Sequence, residues 1–297
     1  MSTKLTRRKM LQDTAKLALG STILMSNPLR VFGTSQDNKS RVVLVRNASL
    51  LDAAGKIDKR VLSEMMDEAI VKLTLAGSPS EAWKKIIRPD DVVGIKTNQW
   101  RSLPTPPELE DILKAGVMQA GVGENDISIK DWGVLNDPVF KRSTALINTR
   151  PLRTHAWSGV GTLLKNYILF SPQPPSYHDD SCADLAKLWV LPEVKGKTRL
   201  NVLVMITPLF HGIGSHHFNK EFTWPYQGLI VGFDPVAVDS VGVHILQAKR
   251  KEYFKEDRPL NPPAKHIVLA DTRHHLGNAD FSKIDLVKVG WQEDLLI

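Results

Sequence analysis

The chain has 297 residues, of which 42% are hydrophobic and 24% are charged, a composition that is ordinary for a globular protein with an apolar core. Its formal charge of +7 is concentrated in residues 1–33, where six lysines and arginines face one aspartate, so the remaining chain carries only +2. A nearly neutral body argues against a nucleic-acid-binding protein, which needs a basic face on its folded part. With Cys182 as its single cysteine, the chain has no intrachain disulfide, no Cys-ligated iron–sulfur cluster and no Cys-rich structural zinc site.

The amino terminus has the pattern of a twin-arginine export signal. Residues 6–12 (TRRKMLQ) place two arginines before an apolar run at residues 17–25. That run is too short to span a bilayer, since a spanning helix needs about 20 apolar residues. An amphipathic helix is the alternative, but the arginine pair favours export. We therefore predict a leader at 1–33, a linker at 34–40 and a periplasmic or other extracytoplasmic location, with membrane anchoring if the leader is retained.

The remaining chain alternates between two kinds of apolar pattern. Short apolar runs with polar ends predict strands at 41–46, 90–96, 127–132, 150–155, 200–207, 228–233 and 285–289. Helical spacing of apolar residues predicts helices at 58–76, 106–120, 183–189 and 236–247, and a short helix that begins at Ser80. Residues 266–269 fit a strand or a helix edge, and 133–148 receive no assignment. This alternation predicts a single α/β domain at 41–297, with a mainly parallel sheet flanked by helices and with long loops of the ligand-binding type.

Residues 153–166 (RTHAWSGVGTLLKN) are the strongest candidate for a site. A basic run, a glycine-bearing turn and a Lys-Asn pair suit a loop that holds an anion or a metal-bound ligand. Lysine binds carboxylate or phosphate as a point charge. Plain surface lysines are the alternative. We predict as catalytic residues His155, Lys165 and Asn166, and as cofactor-binding residues Lys96, Asn98, Gly159 and Gly161.

Histidines and aspartates recur in loops that follow predicted strands. Imidazole and carboxylate groups together suit Zn²⁺, Fe²⁺ or Mn²⁺. The candidate ligands of a divalent transition metal are His178, Asp180, His211, His216 and His217. The alternative is that these loop histidines are simply exposed to solvent.

Three further side chains have structural expectations. Asp234 precedes a proline at a predicted helix start and is expected to cap that helix. Asp239 falls inside the same helix, and if it faces the core it needs a partner, because an unpaired buried carboxylate is costly. Cys182 is expected to be a small buried residue rather than a nucleophile.

Several stretches together resemble the domain-of-unknown-function family numbered 362. They are residues 92–98 (VVGIKTN), 153–166, 234–239 (DPVAVD) and 265–277, within a resemblance that covers roughly 41–290. The chain departs from many members by lacking ferredoxin-type cysteine motifs and by having a histidine-rich loop at 211–217. The resemblance implies an α/β fold and no particular activity.

Two functions remain open on the sequence alone. The first is an exported enzyme, assisted by a metal or another cofactor, that acts on a small anionic substrate. The second is a non-catalytic subunit or binding module of an exported, membrane-associated complex, with a partner subunit. A nucleic-acid partner is not expected.

Overall fold

A computed structural model describes residues 39–212 and 218–297. The predicted leader, nearly all of the predicted linker, and the candidate ligands His216 and His217 lie outside the described residues. The described residues belong to one compact unit of the chain. None of the helices in these two ranges is long and apolar enough to cross a membrane.

Eight strands of the described chain form one mixed and mostly parallel sheet. They are β1 (Ser40–Arg46), β2 (Val93–Lys96), β3 (Ile127–Lys130), β4 (Ala145–His155), β5 (Gly159–Gly161), β6 (Thr198–Leu209), β7 (Gly228–Gly232) and β8 (Ile284–Gly290). The order across the sheet is β3-β2-β4-β6-β7-β1-β8, with β5 paired to β4 as an antiparallel hairpin. Strand β7 runs antiparallel to both of its neighbours, β6 and β1. The predicted α/β class with a mainly parallel sheet is confirmed.

Helices cover both faces of this sheet. They are α1 (Lys59–Thr74), α2 (Pro79–Ile86), α3 (Pro107–Gln119), α4 (Pro138–Lys141), α5 (Leu163–Asn166), α6 (Asp179–Cys182), α7 (Pro235–Phe254) and α8 (Lys265–Thr272). Helices α1, α2 and α3 share one hydrophobic core with the sheet, and α5, α7 and α8 share the core on the opposite face. The carboxyl ends of β2, β3 and β4 meet at one edge, which is where open α/β sheets bind ligands.

Strand β4 is longer than the sequence predicted. It begins at Ala145 rather than at residue 150, and all eleven of its residues are buried. The first half of the strand was not predicted, because a buried strand is normally recognised by an unbroken apolar run and Asn148 and Thr149 are polar. Its pairing with β6 changes register between Pro151 and Arg153. A register shift of this kind re-aims the side chains that follow it.

Several predicted boundaries also change. Helix α2 begins after Ser78, whose hydroxyl accepts from the Glu81 N–H, so the predicted start at Ser80 is wrong. The predicted helix at 183–189 is a 3₁₀ segment, Leu185–Val190, and the ambiguous 266–269 lie in α8. Asp234 caps α7 as predicted, accepting from the N–H groups of the first helical turn.

Candidate active site

The site begins with a buried ion pair at the carboxyl edge of the sheet. Lys96 ends β2, Asp131 directly follows β3, and Lys96 Nζ lies 2.6 Å from Asp131 Oδ1. The same ammonium group donates to the Thr97 carbonyl at 2.7 Å. Burial lowers the pKa of Lys96 to about 8, although Asp131 opposes that shift. Lys96 is therefore not the surface lysine that the sequence left open, and its charge is already matched by a carboxylate.

Two arginines of β4 lie beside this pair. Arg150 Nη1 donates to the Thr162 carbonyl at 3.2 Å, and Arg153 Nη1 donates to Asn98 Oδ1 at 2.7 Å. The Arg153 guanidinium also stacks 4.3 Å above the Trp100 ring. Neither arginine Nε, both buried, has a hydrogen-bond partner within the described part of the chain. Desolvation lowers the pKa of Arg150 to about 10 and lowers the pKa of Arg153 as well.

The glycines of the β5 hairpin make room for these arginines and for the chain before α8. A Cβ atom at Gly161 would lie 2.8 Å from Arg150 Nη2 and 3.6 Å from Arg153 Cγ. Arg153 is the cross-strand partner of Gly161 in the β4–β5 pairing, and Arg150 reaches the same glycine with the end of its side chain. Gly159 has φ +72°, and a Cβ there would lie 2.1 Å from the Pro262 carbonyl oxygen. The two predicted cofactor-binding glycines thus have a packing role within the site.

A carboxylate from α7 holds the turn that carries Lys165. Asp239 Oδ1 accepts from the Leu163 N–H at 3.0 Å, and Oδ2 accepts from the Leu164 N–H at 2.9 Å. This confirms that Asp239, fully buried, has partners. Burial raises its pKa to about 7, against the effect of these hydrogen bonds and of the nearby Arg150 charge.

Lys165 is buried at the end of this turn, so it is not a surface residue. Its Nζ lies 3.5 Å from Cys182 Sγ, and Cys182 is buried as predicted. Desolvation lowers the pKa of Lys165 to about 8, and the positive charges of Arg150 and Arg153 act in the same direction. A lysine in this state exchanges a proton near neutral pH.

Asn166 ties the same turn to the sheet. Its Nδ2 donates to the Lys96 carbonyl at 3.2 Å, to Asn148 Oδ1 at 2.9 Å and to the Thr149 carbonyl at 3.1 Å. Its Oδ1 is buried and has no partner among residues 39–212 and 218–297. The amide group therefore fixes α5 against β2 and β4, and it leaves one acceptor available.

His155 ends β4 and is 8% exposed. Its Nδ1 accepts from the Trp157 N–H at 3.2 Å, so Nε2 carries the ring proton. Burial lowers the pKa of His155 to about 2, and the charge of Lys165 adds to this effect. His178 packs on Trp157 with ring centroids 4.3 Å apart, and burial lowers its pKa to about 4. Both rings are neutral at pH 7.

The described metal candidates lie in different surroundings. His211 Nδ1 lies 3.4 Å from Arg250 Nη1 and its ring packs on Phe222, while Asp180 forms an ion pair with Lys265. In the described ranges, no three His, Cys, Asp or Glu side chains are grouped so that they could hold a metal ion. Two of the five candidates are outside those ranges. The metal site stays a prediction, which elemental analysis of protein purified without chelator or histidine tag would check.

Sequence reasoning assigned no role to Arg150 or to His266 in this site. Arg150 lies in a strand whose residues are all buried, and an arginine is rarely buried unless it is paired. His266 lies in the first turn of α8, where it is fully buried within the electrostatic range of Lys165 and Arg150. A single histidine in a short helix carries no comparable signal.

In comparisons with known proteins, no family model, no curated sequence and no solved structure matches this chain. The resemblance to the family numbered 362 therefore stays a prediction.

The raised pKa of Asp239 makes stability depend on pH. The folded protein keeps a proton up to about pH 7 that the unfolded chain releases near pH 4, so stability falls as pH rises through this window. Replacing Asp239 with Asn removes the titration and keeps one acceptor. Relative to the Asp239→Asn variant, the wild-type protein is expected to lose up to about 1.4 kcal/mol of unfolding free energy per pH unit between pH 4 and 7.

Urea denaturation at several pH values measures this difference. The exposed Asp257, replaced by Asn, serves as the control and should follow the wild-type profile. Parallel profiles for wild type and Asp239→Asn would contradict the assignment.

Proposed function

We propose that the protein is an enzyme that binds a small organic anion beside Arg150, Arg153 and Lys165. The observation that carries this proposal is an excess of buried positive charge. Four buried cations of the described chain cluster at the carboxyl edge, namely Lys96, Arg150, Arg153 and Lys165. The buried carboxylates beside them are Asp131 and Asp239. Asp131 is already committed to Lys96.

The remaining imbalance is expensive without a ligand. An uncompensated buried charge costs several kcal/mol. Asp239 offsets only part of it, because burial holds its pKa at about 7 and both of its oxygens already accept backbone N–H groups. A bound carboxylate or phosphate would supply the missing negative charge and would accept from the unpaired guanidinium nitrogens. The site is thus suited to an anion and unsuited to a cation.

The neighbouring groups support proton transfer on the bound anion. Lys165, with a pKa of about 8, is the candidate acid or base. His155 is neutral and its Nε2–H is the candidate hydrogen-bond donor to the ligand. If the protein binds anions but turns none over, the binding-module form of the proposal is the correct one.

Anion binding is testable on the purified full chain by calorimetry and thermal shift. Citrate, malonate and phosphate are the probes, and glycerol is the neutral control. At least one anion should stabilise the wild type, and the Arg153→Gln variant should bind it at least about tenfold more weakly, because a charge-assisted hydrogen bond is worth roughly 1.5–3 kcal/mol.

Arg250→Gln is the matched control. Arg250 is also buried, but its guanidinium is held by the Phe210, Arg258 and Pro259 carbonyls, away from the cluster. This variant should keep the wild-type affinity. A wild-type protein that binds none of the anions, or equal losses in both variants, would overturn the proposal.

Affinity for the same anion should fall as pH rises from 7 to 9. Above about pH 8 the unliganded protein loses the positive charge of Lys165, and each further pH unit then weakens binding by up to about tenfold. Lys165→Arg keeps the charge, so its profile should be flatter, and the slope that remains reports Lys96 and the ionisation of Asp239. Identical slopes in the two proteins would exclude Lys165 from the anion site.

We also propose that the chain is exported in the folded state by its twin-arginine leader. Replacing Arg7 and Arg8 together by Lys should leave the precursor in the cytoplasm, as measured by cell fractionation. Lys9→Arg keeps the arginine pair and should be exported normally. Export of the double variant at the wild-type level would contradict the leader assignment.

A further inference from the structure

His266 is a fully buried histidine in the first turn of α8. Neither Nδ1 nor Nε2 has a hydrogen-bond partner among the residues that the structure describes. A buried polar group without a partner costs about 1–3 kcal/mol, so two such atoms on one ring are unusual. An arrangement of this kind indicates a group that binds there.

The helix that carries His266 is fixed in place. Lys265, one residue earlier, pairs with Asp180, and the Pro262 carbonyl lies against Gly159 of the hairpin. Ile267 lies in the hydrophobic core. These contacts hold the first turn of α8, and His266 with it, inside the protein.

The ring is neutral and lies within the electrostatic range of the cationic cluster. Burial lowers the pKa of His266 to about 3, and the charges of Lys165 and Arg150 add to this effect. A neutral imidazole has one N–H donor and one nitrogen acceptor. Lysine and arginine side chains have no acceptor, whereas His266 has both an acceptor nitrogen and an N–H donor.

An anion alone does not satisfy this set of atoms. A fully ionised carboxylate accepts hydrogen bonds, so it matches the unpaired Nε atoms of Arg150 and Arg153 and the N–H of His266. The second nitrogen of His266 needs a donor. So does Asn166 Oδ1, another buried acceptor that has no partner in the described chain. A hydroxyl group both donates and accepts. It can therefore donate to the acceptors that a carboxylate, which has no donor, leaves without a hydrogen bond.

We propose that His266 contacts the ligand directly and that the ligand is a small organic acid with a hydroxyl group next to its carboxylate. This inference rests on the proposed anion site and adds the substrate class to it. The carboxylate binds to Arg150, Arg153 and Lys165, and the hydroxyl group binds to His266.

Matched pairs of acids that differ by one hydroxyl group test the inference. The pairs are glycolate with acetate and malate with succinate, measured by calorimetry on the full-length chain. The wild type should bind the hydroxylated member of at least one pair about tenfold more tightly, as expected when a buried hydrogen-bonding group loses its partner. His266→Phe should lose this discrimination and bind both members of that pair with similar affinity.

Two further variants serve as controls. His266→Gln retains a donor and an acceptor and should therefore recover part of the discrimination. This variant also tests the inference if His266→Phe does not fold. His244, exposed on α7 and packed on Phe281, is the matched histidine, and His244→Phe should discriminate like the wild type.

The outcomes separate this inference from the proposed function. Equal binding of both members of each pair by the wild type would overturn the hydroxyl assignment while leaving the anion site intact. Full discrimination in a folded His266→Phe variant would remove His266 from the ligand. Failure of the wild type to bind any of these acids, or citrate, malonate and phosphate, would overturn the anion site itself.

Discussion

The two hydrogen bonds from the Leu163 and Leu164 N–H groups to Asp239 are the constraint on which the site depends. They attach the short helix α5 to the long helix α7, and α5 is too short to hold its own position by helical hydrogen bonds. Lys165 and Asn166 follow directly, so the hydrogen bonds to Asp239 fix the position of both side chains. A carboxylate at residue 239 explains how a turn of four residues presents a lysine inside the protein.

The cost of this arrangement is the concentration of positive charge at one edge of the sheet. Arg150 and Arg153 are placed in the interior by β4 itself, and both lie against Gly161 of the β5 hairpin. Their remaining hydrogen bonds go to a carbonyl and an amide oxygen, which satisfy N–H groups without neutralising charge. The protein thus tolerates a local electrostatic cost at this edge of the sheet, a pattern that marks functional sites.

The sequence predicted the fold better than it predicted the site. The alternation of apolar strands and amphipathic helices correctly indicated the α/β class, because it follows directly from which faces must be buried. Asp234 was predicted as a cap from its local context, and it is one. The early half of β4 was missed because buried Asn148 and Thr149 look like loop residues until their tertiary partners are known. The role of Arg150 and the role of His266 depend on contacts between segments far apart in the chain, and no local pattern encodes these contacts.

Strand β1 has a consequence for how the chain reaches its final form. It lies between β7 and β8, with Val42 opposite Gly232 and Ser40 opposite Ile284, so the first strand pairs only with strands from the last third of the chain. Such distant pairings form slowly, because the loop between them must close first. During synthesis β1 has neither of its partner strands, β7 and β8, until nearly the whole chain has left the ribosome. The sheet is therefore completed only at the end of synthesis, when β7 and β8 become available to β1.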